Sequence, residues 1–350
     1  GLSLDEMENL FIKMGFKKYR AKQVTNWIYK KGVEDFQQMT NLSQEMRDIL
    51  DKNVYIGTIK IVEKKASKID GTEKYLYLLE DNNIIESVLM RHSYGNSICV
   101  SSQVGCRMGC RLCASTIDGF VRNLRAWEML DQILQIKNSL ENSLPITHVV
   151  IMGSGEPLEN YDEVVKFIKL VNMPEILNIS FRRITLSTCG LLPAIIKLAK
   201  EDIPITLSVS LHAPNDEIRN KIMPINKKYP ISPLISTCKQ YFKITGRRVT
   251  FEYALIKDVN DSKENARELS DLLKGFPCHV NIIPINMVQE RKFTKPSREN
   301  ILKFKEILES NGINATIRKE KGADIDGACG QLRYKIMHKK REIKSNGEHN

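Results

Sequence analysis

The stretch ITLSVSLH at residues 205–212 alternates apolar and polar side chains over its whole length. A β-strand directs successive side chains to opposite faces, so one face of this strand would be apolar and the other would carry threonine, serine and histidine. Residues 183–189 repeat the alternation, and Thr250 and Glu252 continue it in a further segment. Strands of a helix-wrapped parallel barrel are usually apolar on both faces. The polar faces therefore predict an open interior that holds a polar ligand.

Six strand candidates alternate with segments that have the apolar spacing of amphipathic helices. The candidates are residues 97–102, 147–152, 183–189, 205–212, 248–256 and 279–286. Alternating strands and helices are typical of a parallel sheet with right-handed crossovers. We therefore predict an α/β fold with an open, partial TIM-like (β/α)₆ barrel, and not a filled barrel of eight strands. A surface sheet with one solvated face is less consistent with a helix after each strand.

The segments before and after the barrel have different patterns. Residues 1–53 have helical spacing and predict a small N-terminal helical domain. Residues 54–96 predict a β extension, with a turn at residues 81–83. Its strand candidates are residues 55–62, 74–79 and 84–90. We place the barrel domain at residues 97–320 and a C-terminal segment with a basic tail at residues 321–350.

Composition and charge restrict the class of protein. The 350-residue chain is 42% apolar, enough for a sizeable core, and has no apolar stretch long enough to span a membrane. No secretory signal is visible, so we predict a cytoplasmic monomer without membrane contact. The net charge of +11 and pI of about 9.1 favour a polyanionic partner. The basic segment 17–31 could contact RNA phosphates or form an ordinary exposed surface. The same two alternatives apply to four arginines: Arg182, Arg183, Arg247 and Arg248.

Three cysteines follow the first barrel strand with the spacing Cys106-x3-Cys110-x2-Cys113. Structural zinc takes four protein ligands, and a [4Fe–4S] cluster is normally held by four cysteines. Three thiolates would leave one iron of such a cluster open to another group. A zinc site with a distant fourth ligand is an alternative. A disulfide is disfavoured because it would leave one thiol over, in a chain with 8 cysteines and no secretory segment.

This spacing resembles that of the radical S-adenosylmethionine (SAM) enzymes, and further motifs resemble one group of them, the RlmN/Cfr family of RNA methyltransferases. The motifs are CVSSQVGC at 99–106, GSGEP at 153–157, SLHAPN at 210–215, MPIN at 223–226 and DIDGACGQL at 324–332. They follow the family order and span nearly the whole chain. Gly327 departs from the alanine that the family usually has at this position.

The resemblance implies a role for each matching position. A [4Fe–4S] cluster would be bound by Cys106, Cys110 and Cys113. SAM would be contacted by Gly155, Glu156, Ser187, Ser210, Leu211, His212 and Asn286. Cys329 would carry a methyl group as S-methylcysteine, Cys99 would pair with it in a transient disulfide, and Glu86 would accept a proton. Without the resemblance, Cys99 could be a buried strand residue, Glu86 a solvated carboxylate and His212 a structural histidine. Three cysteines match no role: Cys189, Cys238 and Cys278.

The resemblance also implies the reaction. C2 of adenine is an electron-poor carbon that cannot displace the methyl group of SAM, whereas a thiolate can. The implied activity is methylation of C2 of one adenine in 23S rRNA and of the adenine next to the tRNA anticodon. Two SAM molecules per turnover and an electron donor such as flavodoxin or ferredoxin would be needed. Two alternatives remain: a Cfr-type C8-methyltransferase that confers antibiotic resistance, which Pro157 disfavours, and an RNA-binding protein with a structural metal site.

Overall fold

The computed structural model describes residues 1–140, 144–285 and 293–325, so Asn286 and Cys329 lie outside the described residues. The helices are α1 (Leu4–Lys13), α2 (Tyr19–Thr25), α3 (Gln44–Asn53), α4 (Ala126–Ser139), α5 (Tyr161–Asn172), α6 (Leu192–Ala199), α7 (Asp216–Ile222), α8 (Ile231–Thr245), α9 (Lys263–Leu273) and α10 (Arg298–Ser310). The strands are β1 (Lys60–Ala66), β2 (Glu73–Leu78), β3 (Ile84–His92), β4 (Gly95–Cys99), β5 (Gln103–Gly105), β6 (Phe120–Asn123), β7 (Ile146–Ile151), β8 (Ile184–Thr188), β9 (Thr206–Ser210), β10 (Val249–Leu255), β11 (Cys278–Pro284) and β12 (Ala315–Ile317).

Ten of the strands form one sheet in the order β1-β2-β3-β4-β7-β8-β9-β10-β11-β12. The first four are antiparallel neighbours, and from β4 onward every pairing is parallel. Helices follow the parallel strands and pack on the apolar face, where Ile184, Leu186 and Leu207 are completely buried. The α/β fold and the open order of the predicted barrel are confirmed.

All six predicted barrel strands are present, each within a few residues of its expected bounds. The structure adds β12, a three-residue strand that pairs in parallel with β11. It follows α10, which supplies the crossover. A strand this short gives too few alternating side chains for the sequence pattern to identify it.

The N-terminal helices share a small core of their own. Its buried members are Met7, Phe11, Ala21, Val24, Phe36, Met39, Leu42, Met46 and Leu50. Helix α1 begins with a capping box, in which the Ser3 hydroxyl accepts from the Glu6 N–H and the Glu6 carboxylate accepts from the Ser3 N–H. This core is consistent with an N-terminal helical unit, and the exact domain limits stay a prediction.

The β extension is present, but its first strand begins later than predicted. Residues 55–59 were expected in a strand, whereas β1 begins at Lys60. Ile56 packs on the N-terminal core, and the Ile59 N–H donates to the buried carboxylate of Asp131 at 2.7 Å. Contacts with other elements therefore replace strand pairing there. The predicted turn is confirmed, with Asn82 in the left-handed region at φ 64°. No helix in the described ranges combines the length and apolar character that a membrane span requires.

Candidate active site

The loop that carries the three cysteines is closed at its base by a two-stranded sheet. Strands β5 and β6 pair in an antiparallel arrangement, and the Cys106 N–H donates to the Gly119 carbonyl at 3.0 Å. Gly105 has φ +72°, and a Cβ atom there would lie 1.9 Å from the Gly119 oxygen. Only glycine fits this crossing. The loop is thereby fixed at the carboxyl end of β4, the first strand of the barrel.

All three thiols line one cavity of about 790 Å³ inside the barrel, within the usual size range of small-molecule sites. Burial raises the pKa of Cys106 to about 12, and burial also raises the pKa of Cys110. Buried thiols of this kind become thiolates when metal cations supply the compensating charge. The donor set therefore fits an iron–sulfur cluster.

A single metal ion fits these thiols less well. Zinc needs every ligand within about 2.3 Å of one centre, whereas a cluster receives each thiolate at a different iron. Among the residues that the structure describes, no group of three or more histidine, cysteine or carboxylate side chains is arranged to hold a metal ion. The loop itself offers three thiols, one fewer than the four protein ligands of a structural zinc site.

The GSGEP segment forms a tight turn after β7, against the cysteine loop. A Cβ atom on Gly153 would lie 2.6 Å from the Val100 oxygen, and one on Gly155, where φ is +111°, would lie 2.6 Å from the Gln103 side chain. These close approaches explain the two glycines. The turn places the next residue, Glu156, at the wall of the cavity.

Glu156 is buried, and burial raises the pKa of its carboxyl group. Its carboxylate accepts from two main-chain N–H groups, that of Leu158 at 3.0 Å and that of Cys189 at 2.7 Å. The side chains of Cys189 and Thr188 also hydrogen-bond to it. Glu156 therefore joins the carboxyl ends of β7 and β8 at the wall of the cavity.

Arg219 of α7 holds the next two motifs together. It is completely buried. Its guanidinium donates over 2.8–3.3 Å to the carbonyls of Cys189, Ser210, Leu211 and Tyr229 and to the side-chain oxygen of Asn226. All five of its N–H donors are thereby used. One side chain thus fixes the carboxyl ends of β8 and β9 and the MPIN segment around the cavity.

His212 lines the cavity in an uncommon backbone conformation, with φ 57°. Burial and then the charge of Arg219 lower its pKa to about 3, so the imidazole is neutral. Nδ1 accepts from the Ala254 N–H at 2.9 Å, which places the proton on Nε2. Strained backbone of this kind often occurs at ligand sites. His212 therefore offers one N–H donor.

The predicted polar strand faces line the interior of the barrel. Ser187 and Ser210 border the cavity, as does the buried carboxylate of Glu252. Glu252 accepts from the Ser208 hydroxyl at 2.6 Å and from the Asn281 amide at 2.8 Å. This network explains the polar pattern that the sequence showed, and it rigidifies three neighbouring strands.

The structure places Leu211 differently from its neighbours in the SLHAPN motif. Its side chain is completely buried in the hydrophobic core and does not border the cavity. Its N–H donates to the Glu252 carbonyl and its carbonyl accepts from Arg219. Contact between Leu211 and SAM stays a prediction, as does that of Asn286, which lies outside the described residues.

Cys99 is at the end of β4 and borders the same cavity as the three cysteines. It is buried and packs with Val88, Met90 and Met152. Its partner in the predicted disulfide, Cys329, lies outside the described residues. Cys99 is therefore secluded from bulk solvent at the cavity that the three loop cysteines also border.

Glu86 is buried, whereas one interpretation of the sequence was a solvated carboxylate. It is 2% exposed on β3, and its carboxylate pairs with the equally buried Lys74 of β2 at 3.2 Å. The strand alternation puts Glu86 on the same face as Val88 and Met90, which border the cavity. Its carbonyl accepts from the Ser101 hydroxyl. Glu86 thus lies on the cavity side of the sheet, with its charge compensated.

Replacing Lys74 with methionine is expected to lower the free energy of unfolding by about 3–5 kcal/mol, because it leaves a buried carboxylate without its cation. The double variant Lys74→Met/Glu86→Leu removes both charges and is expected to recover much of this loss. Urea denaturation of the three proteins measures the difference. Equal losses in the single and double variants would show that the ion pair is not the cause.

Two important side chains were not identified from the sequence: Lys74 and Arg219. Arg219 occupies a core position of α7, with Ile222 and Met223 on the same helical face. Lys74 occupies an inward position of β2 on the face of Leu76. The sequence did contain a signal for both residues. Each is a charged residue at a position where the helix or strand periodicity predicts an apolar side chain.

Two family models match the chain. One, described as the ribosomal RNA large subunit methyltransferase N-terminal domain, matches residues 1–56, and the radical SAM superfamily matches residues 100–270. The first covers the N-terminal helical unit, and the second contains the cysteine loop and most of the barrel.

Full-length relatives agree with these models. A probable dual-specificity RNA methyltransferase RlmN of Alkaliphilus metalliredigens is 54% identical over 344 residues, which cover 98% of this chain and 97% of the relative. A protein of the same description from Alkaliphilus oremlandii is 56% identical over 336 residues, covering 96% and 97%. The crystal structure of a radical SAM methyltransferase from Sphaerobacter thermophilus superposes with a TM-score of 0.91 at 42% identity, covering 94% of this chain and 97% of that one. The chain therefore belongs to the RlmN family of radical SAM RNA methyltransferases, whose cofactors are a [4Fe–4S] cluster and SAM.

Proposed function

We propose that the enzyme methylates C2 of one adenine in 23S rRNA and of the adenine next to the tRNA anticodon. The observation that carries this proposal is the shared cavity, which is bordered by the three cysteines, the GSGEP turn and the separate thiol of Cys99. Cys99 supports the proposal because release of a carbon held on one cysteine sulfur needs a second thiol beside it. The relatives described as dual-specificity RNA methyltransferases support two RNA substrates.

The residues divide into a cofactor group and a reacting group. The cluster would be held by Cys106, Cys110 and Cys113. SAM would be held by Gly155, Glu156, Ser187, Ser210, Leu211, His212 and Asn286. Bound there, the cluster would supply the electron for reductive cleavage of SAM. Glu156 offers an acceptor for the ammonium group, and His212 offers a neutral N–H donor.

Two thiols would carry the methyl group and release the product. The Cys329 thiolate is the nucleophile that takes a methyl group from SAM, which the adenine carbon cannot do. After the carbon is attached to the ring, the Cys99 thiolate attacks the Cys329 sulfur. The electron pair of the sulfur–carbon bond passes to the released carbon, which takes up a proton and becomes the methyl group. A disulfide forms between the two cysteines, and cellular thiols reduce it. The buried position of Cys99 keeps this thiol away from other oxidants.

Glu86 is the proposed acceptor of the C2 proton. Its place on the cavity side of β3 supports this role, and the ion pair with Lys74 holds the carboxylate in one orientation. A base must be positioned at the proton that it takes, and the ion pair with Lys74 fixes the position of the Glu86 carboxylate.

The position of the methyl group tests the proposal against C8 methylation. We expect anaerobically reconstituted enzyme, supplied with SAM, an electron donor such as flavodoxin or ferredoxin, and RNA, to yield 2-methyladenosine in both rRNA and tRNA. Mass spectrometry of nuclease-digested RNA identifies the product. RNA incubated without SAM is the control. 8-Methyladenosine would contradict the proposal and support the Cfr-type alternative, and unmodified RNA would contradict both.

The remaining proposals concern organisation. We place domain limits at residues 53, 96 and 320, between the helical unit, the β extension, the barrel and the C-terminal segment. The separate N-terminal core supports the first limit. We propose that the enzyme is cytoplasmic, because its RNA substrates occur in that compartment, and that it acts as a monomer.

A further inference from the structure

Three aromatic side chains meet at the amino-terminal end of the barrel, opposite the cysteine loop. Tyr94 lies in the turn between β3 and β4, and its ring stacks on His92 with centroids 4.9 Å apart and planes inclined by 8°. His148 of β7 meets the Tyr94 ring edge-on at 5.4 Å. Tyr94 is 65% exposed. These three residues, the aromatic platform, present an aromatic face to solvent instead of packing it in the core.

The platform and Cys99 share one face of the sheet. In the β3–β4 register Cys99 pairs with Val88 and Gly95 pairs with His92, and four residues of strand span about 13 Å. Met90 lies between them on this face and borders the cavity. The platform therefore lies on the same face of the sheet as Cys99, beyond Met90 and on the side remote from the cysteine loop.

Cations flank the platform. Burial and the charge of Lys321 lower the pKa of His92, and burial and the charge of Arg183 lower that of His148. Both imidazoles are therefore neutral rings that can stack. Lys321 also borders the cavity and lies 4.0 Å from Asp70, a long ion pair. Arg183 is exposed just before β8. The two cations can thus meet phosphates beside the platform.

We propose that the aromatic platform stacks the nucleotide next to the target adenine, with Arg183 and Lys321 on the adjoining phosphates. This inference rests on the proposed function, since it assumes an RNA base in the cavity. A base that enters an enclosed site must leave its stack, and its neighbour then loses a stacking partner. An exposed aromatic face replaces that partner for any base. The platform binds RNA without reading its sequence, which suits an enzyme with two different RNA substrates.

The test uses tRNA anticodon stem-loops in which 2-aminopurine replaces the nucleotide on the 5′ or the 3′ side of the target adenine. Stacking on tyrosine quenches the fluorescence of 2-aminopurine. Wild-type holoenzyme is expected to quench one of the two probes. Tyr94→Ala is expected to remove this quenching and to weaken binding at least about fivefold, and Tyr94→Trp to restore both.

Tyr55→Ala is the matched control, because Tyr55 is 67% exposed on a different part of the chain; it is expected to bind and quench as wild type. Iron content and thermal unfolding of each variant show that fold and cluster are intact. Binding and quenching by Tyr94→Ala within twofold of wild type would overturn the platform. If wild type quenches through Tyr94 but methylates no RNA, the platform stands and the proposed function fails.

Discussion

Cys99→Ala is expected to leave RNA covalently attached to the enzyme. In the proposed reaction the new carbon links adenine to the Cys329 sulfur until the Cys99 thiolate attacks that sulfur. Alanine cannot attack, so the carbon–sulfur bond persists and each enzyme molecule reacts once. Free methylated RNA should fall to background, while a protein–RNA band should appear on denaturing gels in proportion to the enzyme. The effect is large because a chemical step is removed.

Two further variants identify the linkage. Cys99→Ala/Cys329→Ala should give neither adduct nor product, because the methyl carrier is gone. Cys278→Ala is the matched control: this buried thiol of β11 belongs to the hydrophobic core and not to the cavity, and turnover should continue. Multiple turnovers by Cys99→Ala without an adduct would show that another group releases the product, and the assigned role of Cys99 would be wrong.

Much of the barrel was predictable because its information is local. Alternation over 205–212 and 183–189 follows from the two-residue period of a strand, and the polar side chains do face the interior. The pattern failed where other contacts compete with pairing. Residues 55–59 are apolar enough for a strand, but Ile56 and Ile59 contact the N-terminal core and α4 instead. Local periodicity does not contain that information.

The site was predictable to the extent that it consists of motifs. The cysteine loop and the GSGEP turn are contiguous in sequence, so their chemistry is visible there. The hydrogen-bond networks that support the site are not visible in the sequence, because the partners are distant along the chain. Arg219 binds a carbonyl 30 residues earlier, and Glu252 binds a serine 44 residues earlier. For Glu86, the sequence left open a solvated side chain. The structure buries it, because Lys74 from the adjacent strand compensates its charge.

Cys106→Ala, Cys110→Ala and Cys113→Ala are each expected to lose most bound iron and sulfide and to reduce methylation to background. A cluster that lacks one of its thiolate ligands is expected to dissociate from the protein, and SAM is not cleaved without the cluster.

A further thiol, beside the three of the loop and Cys99, makes this experiment discriminating. Cys189 borders the same cavity and is close enough to Cys106 and Cys110 for their charges to raise its pKa, after burial as the main cause. If the cluster has an open iron for SAM, Cys189→Ala should retain iron and sulfide at the wild-type level, and SAM should change the electron paramagnetic resonance spectrum of the reduced protein. Loss of iron in Cys189→Ala, with a spectrum insensitive to SAM in wild type, would mean that four thiolates close the site. The amino and carboxylate groups of SAM would then have no iron to bind, and radical formation at this cavity would be excluded.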